Sequence, residues 1–306
     1  MVKAAAQRIL SLLPGGRFGN RLLQRYVSRS LELDENQFEV RLTHCRKHLE
    51  NFFSTRGSSE PGFSVFELGT GWHPIIPIGM YLCGASRVTT LDIEPLLNRE
   101  RVCRTLELYR RSAERGALAT VLPWILEERV ETLLHLLQHA DSPPQGDLLH
   151  PMEIYPVVGD AAKIEGTLGS FDLVFSNSTL QYIPADELGH IFGNLRRIVG
   201  SQAVMSHHIY LGYDLAIFDS SVSPFYFLRF SRAAWKLVDN PLHSHNRLRL
   251  SDYHRIHASN GWTVKKEETL LGAPEDLQKI PLAKEFQGYS ERDLLALRAW
   301  LFSCPA

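Results

Sequence analysis

The sequence predicts an α/β fold with a doubly wound, mostly parallel sheet of seven strands, an N-terminal helical cap and two insertions. One observation is the apolar run 63–68, which leads into Gly69 and Gly71 as a buried strand leads into a tight turn. The other is the recurrence of short apolar runs that are followed by segments of helical length, an alternation that favours parallel pairing. The predicted strands are 63–68, 87–92, 171–178, 203–208 and 262–271, the third strand and its exit span 154–162, and 294–302 is either the seventh strand or a last helix.

Helices are expected between these strands and before the first one. Residues 18–53 carry apolar positions at helical spacing and predict two or three helices, which form either a cap packed on the core or a lid over a ligand. On these helices, Arg21, Arg25 and Arg29 make one basic face, either solvated or in contact with an acidic substrate. We place the cap at 1–60 and the main domain at 61–306, with insertions at about 117–150 and 209–250. Other helices are expected at 75–83, 96–115, 117–140, 184–199 and from Ser251–Asp252 to about 260.

Composition and charge argue against several classes of function. With 306 residues and a formal net charge of −1, the chain has no general attraction for nucleic acid or an anionic membrane. The four cysteines show neither C-x-x-C spacing nor a disulfide framework, which favours a reducing compartment and no zinc site. Pro14 interrupts the N-terminal segment early, and no stretch is long enough to span a membrane. We therefore expect a soluble, cytoplasmic protein with a small-molecule partner and without nucleic acid or membrane partners.

An acidic residue follows the glycine turn at a distance that suggests a nucleotide-type pocket. Asp92 ends the second apolar run, twenty-one residues after Gly71, where a carboxylate can accept hydrogen bonds from a ribose diol. The turn lacks the third glycine of the dinucleotide motif G-x-G-x-x-G and continues instead with Trp72, His73 and Pro74. Such a bulky entry suits a ligand without phosphates, because a pyrophosphate needs close access to the helix N-terminus. A nicotinamide-dependent dehydrogenase is therefore the weaker hypothesis.

The glycine turn resembles a known signature. Glu67, Gly69 and Gly71 match the E-x-G-x-G motif of class I S-adenosylmethionine-dependent methyltransferases. Trp72 departs from the pattern, because that superfamily commonly has a small residue at this position. Residues 171–178 are similar to a further motif of that superfamily, and residues 219–253 resemble a bacterial subgroup of the small-molecule type. The resemblance implies S-adenosyl-L-methionine as the cofactor. It also implies a strand at 294–302, because the superfamily places its final strand antiparallel beside the sixth.

The cofactor-binding residues are expected at the carboxyl ends of the strands, where open α/β sheets bind ligands. Asp160 has two interpretations: it either binds the adenine amino group, as the resemblance implies, or only caps the next turn. The predicted cofactor residues are Glu67, Gly69, Thr70, Gly71, Asp92, Ile93, Asp160, Ala161, Ser176, Asn177 and Ser178.

Two adjacent histidines end the fifth predicted strand and are candidate catalytic bases. A neutral imidazole at that position can take a proton from an acceptor hydroxyl or amine. Neighbouring strand residues face opposite sides of a sheet, so at most one of His207 and His208 reaches the site, and both are alternatively structural. Asp219 is the third candidate base. The spacing of histidines and acids matches no metal motif, so no metal is predicted.

Aromatic, polar and basic residues are interleaved in the second insertion and predict an acceptor pocket. The candidate substrate-binding residues are Gln181, Tyr182, Tyr226, Arg229, Asn246 and Arg247, and Arg249 is a further candidate for binding an anion. The leading hypothesis is transfer of a methyl group from S-adenosylmethionine to an O or N nucleophile of a small polar molecule. The alternatives are a different use of the same cofactor, such as intramolecular alkylation, and a methyltransferase-like binding protein without catalysis.

Overall fold

A mixed sheet of seven strands organises the molecule. The computed structural model describes residues 33–139, 147–164, 169–239 and 245–306. The strands are β1 (Ser64–Leu68), β2 (Arg87–Asp92), β3 (Ile154–Val158), β4 (Phe171–Asn177), β5 (Val199–Tyr210), β6 (Trp262–Leu271) and β7 (Ala296–Pro305). Their order is β3-β2-β1-β4-β5-β7-β6; the first five strands pair in parallel, and β7 runs antiparallel to both β5 and β6. The predicted seven-stranded α/β sheet and its antiparallel last strand are confirmed.

Helices cover both faces of the sheet. They are α1 (Glu35–Arg56), α2 (Ile75–Leu82), α3 (Arg99–Glu114), α4 (Ala117–Val121), α5 (Glu127–Gln138), α6 (Ala185–Arg197), α7 (Leu215–Phe218), α8 (Arg232–Val238), α9 (Leu250–Ser259), α10 (Pro274–Gln278) and α11 (Glu291–Leu295). Of the helices expected in 18–53, the described residues contain α1 alone. The remainder of that prediction, with Arg21, Arg25 and Arg29, lies outside the described residues.

Helix α1 is part of the main core. The Asp34 carboxylate accepts from the Gln37 N–H and caps its start, and Gly57, at a φ of 74°, ends it. Its apolar face packs against α2 and the sheet, in one cluster with side chains of β1 and β4; the buried apolar residues of α1 are Phe38, Leu42, Cys45, Leu49, Phe52 and Phe53. This packing holds the helix across the ends of β4 and β5.

The opposite face of the sheet is covered by α6 and α9. Phe192 and Leu195 of α6 and Tyr253 of α9 share a buried cluster with Val174 and Met205 from the sheet. Trp262, at the start of β6, donates from its indole N–H to the Phe192 carbonyl at 3.1 Å. Strand β5 thus has a buried layer on each side, so neighbouring residues of this strand meet different surroundings.

The chain between β5 and α9 forms a satellite cluster of its own. Phe225, Phe227 and Trp235 pack with Phe286 and Leu294, which come from the segment between β6 and β7. Two segments that are distant in sequence therefore pack together in one cluster. In the described part of the chain, no helix combines the length and apolar character that crossing a membrane would require.

Candidate functional site

The glycine turn after β1 needs glycine for two different reasons. Gly69 and Gly71 have φ angles of 82° and 70°, in the left-handed region that favours glycine. A Cβ at Gly69 would also lie 2.3 Å from the Thr179 hydroxyl oxygen, whereas a Cβ at Gly71 would meet nothing within 4 Å. Gly69 therefore lets the loop after β4 approach the turn, and Gly71 leaves the turn open to a ligand.

The Asp92 carboxylate ties the turn to the end of β2. One carboxylate oxygen, Oδ2, accepts from the Gly71 N–H at 2.9 Å, and Oδ1 accepts from the Glu94 N–H at 3.1 Å. Each carboxylate oxygen can accept a second hydrogen bond. The structure thus brings together the predicted turn and the predicted acid, and the acid retains capacity to accept from hydroxyl groups.

A cleft opens beside this carboxylate at the carboxyl ends of β1, β2 and β3. Its walls include Thr70, Thr90 and Val158, and the buried Thr90 hydroxyl has no hydrogen-bond partner among the described residues. Val158 pairs with Asp92 across the two strands and is 58% exposed, and the neighbouring Ile93 is 73% exposed. An apolar surface that ends in a carboxylate suits a flat heterocycle joined to a polyol.

Asp160 follows β3 and caps the next turn, which is one of the two roles considered for it from the sequence. Its Oδ1 accepts from the Ala162 N–H at 2.9 Å, and its Oδ2 lies 3.2 Å from the Lys163 ammonium. Both interactions lower the pKa of the Asp160 carboxyl, the hydrogen bond more than the ammonium. Ala161 beside it is buried. Binding of an adenine amino group by Asp160 stays a prediction.

Glu67 places a buried carboxyl at the end of β1. It is 3% exposed, and its Oε2 has no hydrogen-bond partner in the described part of the chain. Burial raises the pKa of Glu67 well above its usual range, the positive charge of Arg41 offsets part of this rise, and the charge of Asp92 adds to it. A buried polar atom without a partner is uncommon in folded proteins, and it marks this position as one where a ligand group would be favourable.

The three predicted residues at the end of β4 face different ways. Ser176 is fully buried, and its hydroxyl hydrogen-bonds to His207 Nδ1 at 2.7 Å. Asn177 turns towards α1, where its Oδ1 lies 2.8 Å from His44 Nδ1. Ser178 has a φ of 57°, an unfavourable backbone conformation for serine, and its N–H donates to the His208 carbonyl at 2.8 Å. Backbone strain of this kind is concentrated at functional sites.

The two histidines of β5 have different surroundings. His207 is fully buried and stacks on Phe192 with ring centres 5.3 Å apart, beside His257 at 5.8 Å. It belongs to the core under α6 and α9. His208 points to the other face, where its ring centre lies 4.3 Å from that of His44 and 4.8 Å from that of Trp300. His44 and His208 form an imidazole pair beside Asn177 and Ser178, at the carboxyl ends of β4 and β5.

Both members of this imidazole pair are neutral at neutral pH. Burial lowers the pKa of His44 to about 4, although its hydrogen bond with Asn177 raises it, and burial lowers the pKa of His208 to about 2. With the Asn177 oxygen as the acceptor, His44 Nδ1 carries the ring proton and Nε2 keeps a free lone pair. A proton acceptor therefore lies at this edge of the sheet.

Two arginines from different elements act on the imidazole pair. The charges of Arg41, on α1, and Arg298, on β7, each lower the pKa values of both imidazoles further. Neither guanidinium forms an ion pair or hydrogen bond with another described residue. Sequence reasoning missed His44, Arg41 and Arg298. The available signal was the helical spacing of Arg41, His44 and His48, which puts three polar residues on one side of α1.

Gln181 and Tyr182, two of the predicted substrate residues, lie next to this site. Gln181 is buried, and its side-chain amide donates to the Ser178 carbonyl at 3.0 Å. Burial raises the pKa of Tyr182, and the negative charge of Asp214 raises it further. The charge of Arg41 interacts with Tyr182 as well as with Glu67. Tyr182 therefore lies within reach of charges from α1 and from the segment after β5.

Asn246, Arg247 and Arg249, predicted from sequence as ligand-binding residues, make contacts that hold the insertion together. The Asn246 amide donates to the Leu180 and Ile183 carbonyls, both at 2.8 Å. Arg247 pairs with Glu285 at 2.9 Å, and Arg249 is fully buried and donates to backbone carbonyls. These side chains use their donors on the protein itself, because the insertion has to satisfy buried backbone groups.

The other predicted residues of the insertion lie at its surface. Asp219 is exposed and accepts from the N–H and hydroxyl of Ser221, which lowers its pKa. The Arg229 guanidinium stacks over the Tyr226 ring at 5.0 Å. None of these contacts involves the imidazole pair. Within the described residues, no group of three or more His, Cys, Asp or Glu side chains is arranged to hold a metal ion.

Comparison with known proteins gives structural matches only. No family model and no curated protein matches the chain by sequence. Its fold is similar to that of a TehB-like S-adenosylmethionine-dependent methyltransferase from Corynebacterium glutamicum, at 12% identity over 85% of this chain and 87% of that chain, with a TM-score of 0.40.

Two further matches cover more of the chain. Magnesium protoporphyrin IX methyltransferase from Synechocystis PCC 6803 with bound S-adenosylhomocysteine is 12% identical over 95% of this chain and 99% of that chain, with a TM-score of 0.47. An S-adenosylmethionine-dependent methyltransferase from Clostridium acetobutylicum is 9% identical over 94% of this chain and 97% of that chain, also with a TM-score of 0.47. Similarity at this level establishes no family membership for this chain.

Proposed function

We propose that the chain is an S-adenosylmethionine-dependent methyltransferase that acts on an O or N nucleophile of a small polar molecule. The observation that carries this proposal is the cleft beside Asp92. It combines a carboxylate held by an open glycine turn with the exposed apolar side chain of Val158 and the side chains of Leu96 and Leu97. A ribose diol on the carboxylate and an adenine ring on the apolar surface use both features.

The remaining groups at the end of β1 suit the amino acid end of the same cofactor. Glu67 offers a buried carboxyl with an unpartnered oxygen, which suits an ammonium group. The Arg41 charge acts on Glu67, and its guanidinium has no ion-pair partner among the described residues, so it suits the carboxylate. When bound, the cofactor supplies an electrophilic methyl group on sulfur.

The imidazole pair supplies the acceptor side of the reaction. His44 and His208 lie at the ends of β4 and β5, next to the loop that touches Gly69 through Thr179. Methyl transfer from a sulfonium is an in-line displacement, so holding the nucleophile in position contributes much of the rate. The free Nε2 of His44 can accept the proton that an O or N nucleophile loses. His208, with a pKa near 2, is suited to orienting the acceptor through a hydrogen bond.

The test of this proposal is calorimetric titration of the purified protein with S-adenosylmethionine and S-adenosylhomocysteine. We expect Asp92→Ala to weaken binding more than about tenfold, because a charge-assisted hydrogen bond is lost and the turn loses its anchor. Asp92→Asn keeps one acceptor oxygen and should lose less. Asp172→Ala is the matched control, since this carboxylate also holds a backbone N–H, that of Ser64, but at the opposite end of the sheet.

Three outcomes separate the possibilities. Loss of binding in Asp92→Ala alone supports the pocket. Equal affinity of the wild type and Asp92→Ala removes the pocket assignment. Absence of binding by the wild type contradicts the proposed function itself.

A further inference from the structure

Arg298 lies on the same face of the sheet as the imidazole pair. Strands β5 and β7 are antiparallel, and their register pairs His208 with Trp300 and Tyr210 with Arg298. Directly paired residues point to the same side of the sheet. Arg298 therefore lies next to Trp300 in the row of side chains on the face that carries His208. Its charge acts on His44, His208 and Tyr210, lowering the pKa of each. The guanidinium is therefore close to the place where the acceptor nucleophile would lie.

This guanidinium forms no ion pair with another described residue. Other arginines that come from the same part of the fold are paired: Arg247 with Glu285, and Arg292 with Glu267. The side chains of His208 and Trp300 beside Arg298 are neutral at neutral pH. The charge of Asp214 also acts on Tyr210. A guanidinium that forms no ion pair with another described residue offers an anion a binding position that no protein carboxylate occupies.

The cofactor does not account for this positive charge. S-adenosylmethionine carries one carboxylate, for which Arg41 is available next to Glu67. Strand β7 lies three positions from β1 in the sheet order, about 14 Å at a spacing of about 4.8 Å per strand. Arg298 therefore lies towards the acceptor end of the site, where a second anion can pair with it.

The surface beside Arg298 also has an apolar component. Leu270 of β6 is the cross-strand partner of Arg298 and is 55% exposed. Trp300 and the ring of Tyr210 border the same row. A guanidinium bordered by aromatic and aliphatic side chains suits a molecule with an anionic group attached to an apolar body.

Resting on the proposed function, we propose that the methyl acceptor is an acid whose anionic group binds Arg298, so that its O or N nucleophile lies against the His44–His208 imidazole pair. The anion is of the carboxylate or phosphate type. Its apolar part packs on the surface formed by Leu270, Tyr210 and Trp300. Arg298 is thus a specificity-determining residue: it selects acids over their neutral analogues.

The test uses the full chain saturated with S-adenosylhomocysteine and three probes: benzoate, phenyl phosphate and the neutral benzamide. Binding is measured by ligand-observed NMR titration. We expect one or both anions to bind the wild type about tenfold or more tightly than benzamide, and Arg298→Gln to remove that difference. Preference for benzoate or for phenyl phosphate distinguishes a carboxylate from a phosphate on the acceptor. Arg298→Lys keeps the charge without the planar fork and should bind the preferred anion with intermediate affinity.

Arg292→Gln is the matched control, because it also removes one exposed arginine charge but from a side chain paired with Glu267. It should retain the anion preference. The inference is overturned if neither anion binds better than benzamide, or if Arg298→Gln keeps the preference. Each variant is also titrated with S-adenosylhomocysteine. If Arg298→Gln loses the anion preference and retains its affinity for S-adenosylhomocysteine, the inference is supported. If the wild type does not bind S-adenosylhomocysteine, the proposed function is contradicted, and the inference with it.

Discussion

The two halves of the site are built by different means. At the cofactor half, β1 and β2 present mainly backbone and two carboxyl groups, and the residues from Glu67 to Asp92 form one continuous stretch of chain. At the acceptor half, side chains from α1, β4, β5 and β7 meet, and the His44–Asn177 hydrogen bond joins residues 133 positions apart. The first half is encoded locally, and the second exists only once the fold has formed. The two halves should therefore respond differently to substitution.

The largest expected effect separates catalysis from binding at the acceptor half. His44→Gln removes the free Nε2 lone pair, so we expect transfer of a labelled methyl group to an acceptor to fall by about 10²–10⁴-fold. The affinity for S-adenosylhomocysteine should change little, because the imidazole lies outside the cleft beside Asp92. Rate and affinity are measured on the same preparations.

His207→Gln is the comparison variant for this prediction. It changes the neighbour of His208 that lies on the core side of β5. We expect it to lower the melting temperature and to reduce the rate less than His44→Gln does. Equal rate losses in His44→Gln and His207→Gln would remove the distinction between the two faces of β5.

The next effect tests the contact between the halves at Gly69. Gly69→Ala combines an unfavourable φ with a clash against Thr179, and we expect the free energy of unfolding to fall by about 2–4 kcal/mol. Gly71→Ala has the φ penalty alone and should lose about 1 kcal/mol. Urea denaturation measures both.

The double variant Gly69→Ala with Thr179→Gly removes the atoms that clash and leaves the backbone strain. It should recover part of the loss relative to Gly69→Ala. If Gly69→Ala and Gly71→Ala lose the same stability, the close approach of Thr179 does not determine the requirement for glycine at Gly69.

The third effect is the pH dependence of stability. Burial lowers the folded-state pKa of His44 and His257 to about 4, and that of His48 and His207 well below 6.5. As pH falls below about 6.5, the unfolded chain binds protons that the folded chain does not, so the free energy of unfolding decreases. Each buried histidine contributes up to about 1.4 kcal/mol per pH unit until its folded pKa is reached. Above about pH 6.5 these histidines contribute no slope.

Urea denaturation between about pH 7.5 and about pH 5 measures this slope, a window above the usual carboxylate range. Glu67 acts in the opposite direction, since its pKa is raised and its unfolded form ionises first as pH rises. The variant His257→Phe should make the slope shallower by about one proton. An unchanged slope in His257→Phe would show that this imidazole is not held neutral in the folded protein.

The difference between the halves also explains how much could be predicted. The strand and helix bounds from Ser64 to Asp92 lie within one or two residues of the sequence prediction, because apolar runs and glycines are local signals. The approach of Gly71 to Asp92 follows from the same local pattern. The sequence also predicted that His207 and His208 face opposite sides of β5. Which of them faces the site was not predictable, because that depends on which helices cover each face.

In the insertion, by contrast, the contacts of the polar side chains could not be predicted from residue type. Arg247 and Asn246 have the residue types of a ligand site, but their partners are Glu285 and the carbonyls of Leu180 and Ile183. A polar side chain in an irregular segment either binds a ligand or satisfies the backbone, and residue type alone does not distinguish the two. Conversely, Arg298 lies in an ordinary strand sequence, and only the register of β7 against β5 places it beside the imidazoles.

The position of β7 also limits the order in which the strands can pair during synthesis. Strand β6 lies at the edge of the sheet and pairs with β7 alone, so residues 262–271 have no neighbouring strand until residues 296–305 have left the ribosome. Charged side chains along β6, Lys265 to Glu268, disfavour pairing of this strand with other chains while β7 is absent. Strands β1 to β5 need neither of them in order to pair. A nascent chain can therefore assemble the cleft beside Asp92 before Trp300 and Arg298 complete the acceptor half.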